Sequence, residues 1–280
     1  MCCFSRPIPY VASTRIFARL VGARQRLAYA MSFAAAEELA MVLPLPVAVG
    51  AGDDAVRFVD LSGYRTFFTD LEAGFPRLMM PAAKGGPAVR GGIAPQPRLK
   101  VHPVGDFEAS FVPTPADFTR LDPRFRLPAR VLTDLTSYRD WGFAVVQLRP
   151  SMRGFWGRLR RTRNTMQPLA LDFPTRDRDR LFFPTLHVHD GEVHAEAAFD
   201  HTLYWQLPAG VAAAPTPDRT PMVLGAPMNL SPPAGRFMDL ARARELVDGE
   251  APCHRRVLAG MLPNQDTWIG PGGSRQGEMQ

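Results

Sequence analysis

The sequence is poor in cysteine and has no long apolar run. Its 280 residues contain three cysteines, Cys2, Cys3 and Cys253, and an odd number without a recognisable secretion signal does not indicate a disulfide framework. No window approaches the ~20 consecutive apolar residues of a membrane-spanning helix. Arginines interrupt the first 26 residues five times, where the apolar core of a signal peptide would lie. We therefore expect a cytoplasmic protein with reduced cysteines and no transmembrane segment.

Several common nucleotide-binding and hydrolase signatures are also missing. The sequence has no phosphate-binding loop of the G-x-x-x-x-G-K-S/T type, no G-x-S-x-G elbow and no dinucleotide fingerprint. The glycine pairs Gly85-Gly86 and Gly91-Gly92 lie in a proline-rich stretch that no helical pattern follows. The enzyme classes that depend on these motifs are therefore not indicated.

Lysine is nearly absent, and the positive charge is concentrated in one arginine-rich stretch. Only Lys84 and Lys100 are lysines among 33 basic residues, and the net charge is +6. Residues 149–163 contain six arginines and no acidic residue, and they include Phe155 and Trp156. Arginines interleaved with aromatic side chains can bind phosphates and stack on bases. We predict contact with an anionic partner, the alternative being a solvated loop; the candidate anion-binding residues are Arg153, Arg158, Arg160, Arg161 and Arg163.

Apolar content and turn residues predict the fold class. Apolar residues make up 46% of the chain, enough for a substantial core, while 28 prolines and 23 glycines favour short strands and turns. We predict an α+β fold with a largely antiparallel β-sheet core and a few short helices. We place it in a single domain over residues 1–268, with a flexible loop at 84–98 and a disordered tail at 269–280. Predicted strands lie at 14–33 (a hairpin), 39–49, 100–112, 141–148, 167–173, 181–189, 193–207 and 254–262, and predicted helices at 62–73, 115–121, 128–138 and 233–247.

Three features resemble an uncharacterised bacterial family of the domain-of-unknown-function type. They are the Cys2-Cys3 start, the V-L-P-x-P pattern within Met41–Val47 and the aromatic helix Ser62–Phe75 that follows it. The stretch from Trp141 through Phe173 is similar to that family's later strands. Its members usually carry a signal peptide before the Cys pair, and none is recognised here. The resemblance implies a hairpin, a strand and an aromatic helix in that order, and it implies no activity.

The most informative segment holds half of the six histidines in eight residues. Asp190-Gly191 lies between two alternating runs and is typical of a two-residue hairpin turn. That turn would set His189 opposite Glu192 and His187 opposite His194. Directly opposed residues have Cβ atoms ~4.5–5.5 Å apart, so this register would gather all four polar side chains on one face.

Three imidazoles and a carboxylate in this arrangement favour a metal site. We predict His187, His189 and His194 as ligands of zinc or another divalent transition metal, with Glu192 as a fourth ligand or a catalytic base. An open coordination position would allow water activation, as in a hydrolase. The alternative is the ordinary polar face of a half-buried hairpin. The same alternation places His201 on the opposite face.

The amino terminus offers a second candidate site. Cys2 follows Met1 and is small enough for Met removal, which would leave a thiol beside its own α-amine, a group with a pKa of about 7.7–8.0. That amine can serve as a general base, so Cys2 is a candidate catalytic nucleophile of an N-terminal-Cys amidohydrolase. Two alternatives remain, in which Cys2 and Cys3 are soft metal ligands or an ordinary apolar pair at the start of a strand.

Overall fold

The structure confirms the predicted α+β class. It is a computed structural model that describes residues 2–35, 37–75, 102–104, 107–134, 136–148, 164–207, 230–270 and 273–276. About half of these residues form strands, which pair mainly antiparallel, and the helices are short. The predicted loop 84–98 and the arginine-rich stretch lie outside the described residues. The single-domain assignment stays a prediction.

The first sheet has six strands in the order β12-β1-β4-β8-β7-β6. Its centre is β4, whose near-continuous apolar run is explained by burial on both faces: its residues alternate between two separate hydrophobic clusters. Pro44 lies in the second half of β4, where the strand pairs with β8 on one side and the short β1 no longer pairs with it on the other. Proline suits this position because it cannot donate a backbone hydrogen bond. The strand bounds are β1 Cys2–Phe4, β4 Leu39–Leu45, β6 His102–Val104, β7 Phe107–Val112, β8 Gly142–Leu148 and β12 His187–Val188.

The second sheet has eight strands in the order β14-β15-β13-β2-β3-β10-β5, with β9 paired to β3. The predicted hairpin at 14–33 forms its middle, and Gly22 makes the turn with a φ of 59°. A separate three-stranded sheet has the order β11-β16-β17. The remaining bounds are β2 Tyr10–Val21, β3 Arg24–Ala34, β5 Arg57–Val59, β9 Asn164–Thr165, β10 Leu169–Pro174, β11 Leu181–Phe183, β13 Glu196–Gln206, β14 Leu230–Pro233, β15 Pro252–Pro263, β16 Thr267–Gly270 and β17 Gly273–Gln276.

The main hydrophobic core joins the two large sheets. Met41 and Leu43 of β4 share it with Ile16 of β2, Leu27 of β3 and Leu203 of β13, and all five are fully buried. Alternation along each strand sends every second side chain into this core. A polar side chain at one of these alternate positions would also point between the sheets.

Short helical segments cover the outer faces. The predicted helix 62–73 forms as a 3-10 turn, Ser62–Tyr64, followed by α1, Phe67–Ala73, which packs on the eight-stranded sheet. On the six-stranded sheet the predicted helix 115–121 forms as a 3-10 turn, Pro115–Arg120. The predicted helix 128–138 forms as α2, Ala129–Asp134, and a 3-10 turn, Thr136–Tyr138. A further 3-10 turn, Pro123–Phe125, lies between them and was not predicted.

Two predicted segments differ from the structure. The helix expected over 233–247 is a short 3-10 turn, Ala234–Arg236, followed by turns. Arg244 and Glu245 adopt left-handed backbone conformations, which end any helical geometry there. The tail predicted to be disordered from residue 269 is paired over Thr267–Gly270 and Gly273–Gln276. Ile269 is buried in the main core, which anchors the first of these strands.

Candidate functional site

The predicted histidine hairpin does not form. Strand β12 ends at Val188 and pairs in parallel with β1, placing Cys2 opposite His187 in the first sheet. Strand β13 begins at Glu196 and belongs to the second sheet. The intervening residues therefore cross from one sheet to the other. The two-residue alternation of side chains along a single strand does not continue through such a crossing. The register that paired His187 with His194 is wrong for this reason.

The structure instead assembles His187, His189 and His201 into a stack of imidazoles. The rings of His187 and His189 have centroids 4.8 Å apart and planes 17° apart. Those of His187 and His201 are 4.7 Å and 25° apart, and their Nε2 atoms are 3.0 Å from each other. Two of the three predicted ligands are thus brought together, and His201, which the sequence placed on the opposite face, completes the group.

His201 reaches this position because β13 presents alternate residues to the core between the sheets. Phe199 and Leu203 flank it in the sequence and point the same way, into the main core. The ring of Phe199 stacks on His187 at 4.5 Å, and the ring of Phe4 lies 5.5 Å from His189. The imidazoles therefore extend the aromatic core to the edge of the two packed sheets, where the chain crosses from β12 to β13.

Burial keeps the three imidazoles neutral at pH 7. Desolvation is the main cause in each case: it lowers the pKa of His187 to about 3 and that of His189 to about 4, and it holds the pKa of His201 well below its usual value. The neighbouring imidazoles lower the pKa values of His187 and His201 further, because two adjacent positive charges repel each other. Neutral imidazole is the form that binds metals and accepts protons.

The other two residues of the predicted metal site, His194 and Glu192, lie at the surface. The side chain of His194 is 55% exposed, and its Nε2 is 2.7 Å from the Asp190 carboxylate, which raises the pKa of the imidazole. The side chain of Glu192 is 55% exposed as well and pairs with Arg130 at 3.0 Å. Neither approaches the stacked rings as a ligand, so both predicted roles rested on the hairpin register that did not form.

Two side chains that the sequence analysis missed hold this segment in place. The Asn264 amide accepts a hydrogen bond from the His187 backbone N–H at 2.7 Å and donates to the carbonyls of His187 and His194 at 2.9 and 3.0 Å. The buried Asp266 carboxylate accepts from the backbone N–H groups of Thr185 and Leu186 at 2.8 and 2.9 Å. These contacts fix the entry and exit of the loop that carries the histidines.

Two adjoining cavities reach the imidazole stack, with volumes of about 530 and 360 Å³. They share Ile8, Pro9 and Ala198 as walls, together with His187 and His189. The lining also includes three carboxylates and, among the described residues, no arginine or lysine, although the chain as a whole is basic. The carboxylates are Asp190, Glu196 and Asp200. The cleft is therefore a locally acidic site that favours cations.

A β-bulge shapes the smaller cavity. Between Ala12 and Arg15 strand β2 has one residue more than its partner β3, and Ser13 takes a φ of 55°. The Ser13 backbone N–H donates to the Asp200 carboxylate, whose other oxygen is 3.9 Å from Nδ1 of His201. The bulge thereby holds an acidic group just beyond hydrogen-bond distance of an imidazole.

Three polar atoms of residues that line the smaller cavity are buried without a hydrogen-bond partner among the residues that the structure describes. They are Nε2 of His189, Nδ1 of His201 and the Thr14 hydroxyl. Buried polar atoms are nearly always paired with protein, water or a ligand. The arrangement thus has unused bonding capacity beside a cavity.

The rings are stacked and do not converge on one point. Across the parts of the chain that the structure describes, no set of three or more His, Cys, Asp or Glu side chains is positioned to hold a metal ion as it stands. Cys2, the other candidate catalytic residue, has its backbone beside His187, and its nucleophilic role stays a prediction. The arginines from Arg153 to Arg163 that we predict to bind an anion lie outside the described residues. None of the described helices is long and apolar enough to span a membrane.

Comparison with known proteins gives distant structural likeness only. No protein-family profile matches the chain, and no curated protein sequence matches it. It is similar to the crystal structure of baculovirus P35, with 9% identity, a TM-score of 0.39, and coverage of 70% of this chain and 64% of that one. It is also similar to the caspase-8/P35 complex, with 10% identity, a TM-score of 0.35, and coverage of 70% and 63%. The chain thus covers less than two thirds of these neighbours, and the resemblance to an uncharacterised bacterial family stays a prediction.

Proposed function

We propose that this protein binds a divalent transition metal ion, zinc being the simplest choice, through His187, His189 and His201. The observation that carries the proposal is the cluster of three buried, neutral imidazoles at the wall of an acidic cleft. Imidazole nitrogen is a preferred ligand of zinc, copper and nickel, and it binds in its neutral form.

The spacing of the two closest nitrogens supports this choice. A tetrahedral zinc ion about 2.1 Å from two imidazole nitrogens holds them about 3.4 Å apart. Nε2 of His187 and Nε2 of His201 are 3.0 Å apart. Binding would need rotation of the rings out of their stack, and the cavities beside His187 and His189 provide space for it.

The surroundings of His201 supply the support that metal-binding histidines usually have. Such a histidine commonly donates its second ring N–H to a carboxylate, which fixes the tautomer and orientation of the ring. Nδ1 of His201 has no hydrogen-bond partner, and an Asp200 oxygen is 3.9 Å away. A small movement of Asp200 would satisfy Nδ1 and leave Nε2 as the ligand atom.

Three protein ligands leave a coordination position for water, which favours a hydrolytic reaction. Water bound to zinc in this way loses its proton near neutral pH. The open cavity of about 530 Å³ beside His187 has the size of a small-molecule site. Its walls combine apolar side chains with Asp190 and Glu196, which favours a partly apolar substrate that carries a positive charge or several hydrogen-bond donors.

The experiment is a cobalt and zinc titration of the purified, chelator-treated protein. Cobalt bound tetrahedrally gives a visible absorption band, and calorimetry gives the zinc affinity. We expect one ion per chain, with His187→Ala and His201→Ala each losing at least about tenfold in affinity, since one ligand is removed.

Two control variants make the result decisive. His194→Ala removes the exposed imidazole paired to Asp190, and His254→Ala removes the ring that stacks on Trp205 away from the cleft. Both should bind as the wild type does. Loss of binding in His194→Ala with retention in His201→Ala would contradict the ligand set, and no binding by the wild type would exclude the metal function.

A further inference from the structure

A second cluster lies on the outer face of the eight-stranded sheet. Tyr204 points away from the core between the sheets and contacts two aromatic rings beside helix α1, those of Phe68 at 6.3 Å and Phe75 at 5.6 Å. The guanidinium of Arg15 lies over the Phe68 ring at 5.3 Å, and that of Arg255 lies over the Phe75 ring at 4.7 Å. Two arginines thus flank one tyrosine on a shared aromatic floor.

Strand pairing explains why they meet. Arg15 of β2 is opposite Thr202 of β13, and Arg255 of β15 is opposite Tyr204, two residues further along the same strand. All four positions face the same side of the sheet, because side chains directly opposite each other share a face. The long arginine side chains approach Tyr204 from its two neighbouring strands.

Several N–H groups of these two arginines have no hydrogen-bond partner among the residues that the structure describes. Arg255 is 8% exposed, and its Nε and Nη2 have no hydrogen-bond partner, while Nε of Arg15 is also buried without one. Stacking on an aromatic ring uses the face of a guanidinium and leaves its N–H edge free. A buried guanidinium edge without an acceptor is unfavourable, since water has been removed and nothing replaces it.

The surroundings of Arg15 offset its burial only in part. Desolvation lowers the pKa of the Arg15 guanidinium, while the Tyr204 hydroxyl and the charge of Glu72 raise it. An anion bound at the N–H edge would further stabilise the charged form of this arginine.

We propose that Arg15 and Arg255, on the aromatic floor of Phe68, Phe75 and Tyr204, form a binding site for an oxyanionic group, a phosphate or a carboxylate. The planar N–H edge of arginine matches such oxygens in pairs, with charge-assisted hydrogen bonds. The site is on the opposite face of the sheet from His201, so it does not depend on metal binding.

Inorganic phosphate and acetate are the probes that test this site. Each is titrated into the wild-type protein by calorimetry at constant ionic strength, with chloride as the reference ion. Binding of either oxyanion, with weaker affinity of at least about tenfold in Arg255→Met, is the expected result, because charge-assisted hydrogen bonds are removed. The stronger of the two probes identifies which group the site prefers.

Arg256→Met is the matched control, since the same change is made one residue along β15, at a position that faces the other side of the sheet. It should keep the wild-type affinity. Arg255→Lys keeps the charge and loses the paired N–H edge, so it should bind weakly and serves if Arg255→Met does not fold. The proposal is overturned if the wild type binds neither probe, or if changing Arg255 leaves the affinity unaltered.

Discussion

Acid should destabilise this protein because its histidine cluster is buried in the neutral form. In the unfolded chain these imidazoles have pKa values near 6.5, whereas in the folded protein those of His187 and His189 are about 3 and 4. Between these values the unfolded state binds more protons than the folded state, so the free energy of unfolding falls as the pH falls. The stabilisation is complete above pH 6.5 and is lost progressively down to about pH 3–4.

The size of the effect follows from the same pKa values. Between pH 7.5 and pH 5 each of the two histidines lowers the free energy of unfolding by about 2 kcal/mol, or about 4 kcal/mol together. His201 acts in the same direction. A loss of this size is a large part of the 5–15 kcal/mol that is typical of a folded domain.

Urea unfolding monitored by tryptophan fluorescence, in the presence of a chelator, measures this dependence. His189→Phe keeps an aromatic ring next to Phe4 and removes one titrating group, so it should reduce the fall between pH 7.5 and pH 5 by about 2 kcal/mol. His194→Gln removes an exposed imidazole whose raised pKa acts in the opposite direction, so the fall should be at least as large as in the wild type. A wild-type stability that is flat over this range, or a His189→Phe variant with the full wild-type fall, would refute the reasoning.

Two substitutions separate the support of the site from its packing. Asn264→Ala removes three hydrogen bonds to the backbone of His187 and His194. It should lower the free energy of unfolding, measured in urea, by about 2–3 kcal/mol and also weaken cobalt binding. Unchanged cobalt affinity would show that the loop is held by other contacts. Val188→Ala should lower the free energy of unfolding by about 1–3 kcal/mol through lost packing in the hydrophobic cluster on the outer face of the six-stranded sheet, while cobalt affinity stays the same. A smaller loss would mean that the cluster collapses around the smaller side chain.

Local patterns predicted much of the sheet framework. The alternation through residues 14–33 identified the β2–β3 hairpin, and the apolar run at 39–49 identified a strand, which the structure buries on both faces. In both cases the deciding interactions are between near neighbours in the sequence or depend on burial alone. The helix predicted over 233–247 failed because its apolar spacing also fits a set of turns packed on a sheet.

The site was predicted only in part, because its geometry depends on which sheet each segment joins. The composition indicated His187 and His189, but the turn at Asp190-Gly191 connects two sheets and does not close a hairpin. A local rule cannot distinguish these outcomes. Asn264 gave no signal in the sequence either, because a single amide in a loop is common and its partners are 77 and 70 positions away.

The pairing of β2 with β13 has a consequence for the order of folding. The Ser13 N–H and the Asp200 carboxylate meet across 187 positions, and the parallel ladder beside them joins the same distant segments. Closing so large a loop costs entropy before any contact compensates for it, and such topologies fold slowly. The β2–β3 hairpin can form early from neighbouring residues, whereas the imidazole stack needs β1, β12 and β13 to be in place together. We therefore expect the histidine cluster to be among the last of the described parts of the molecule to assemble.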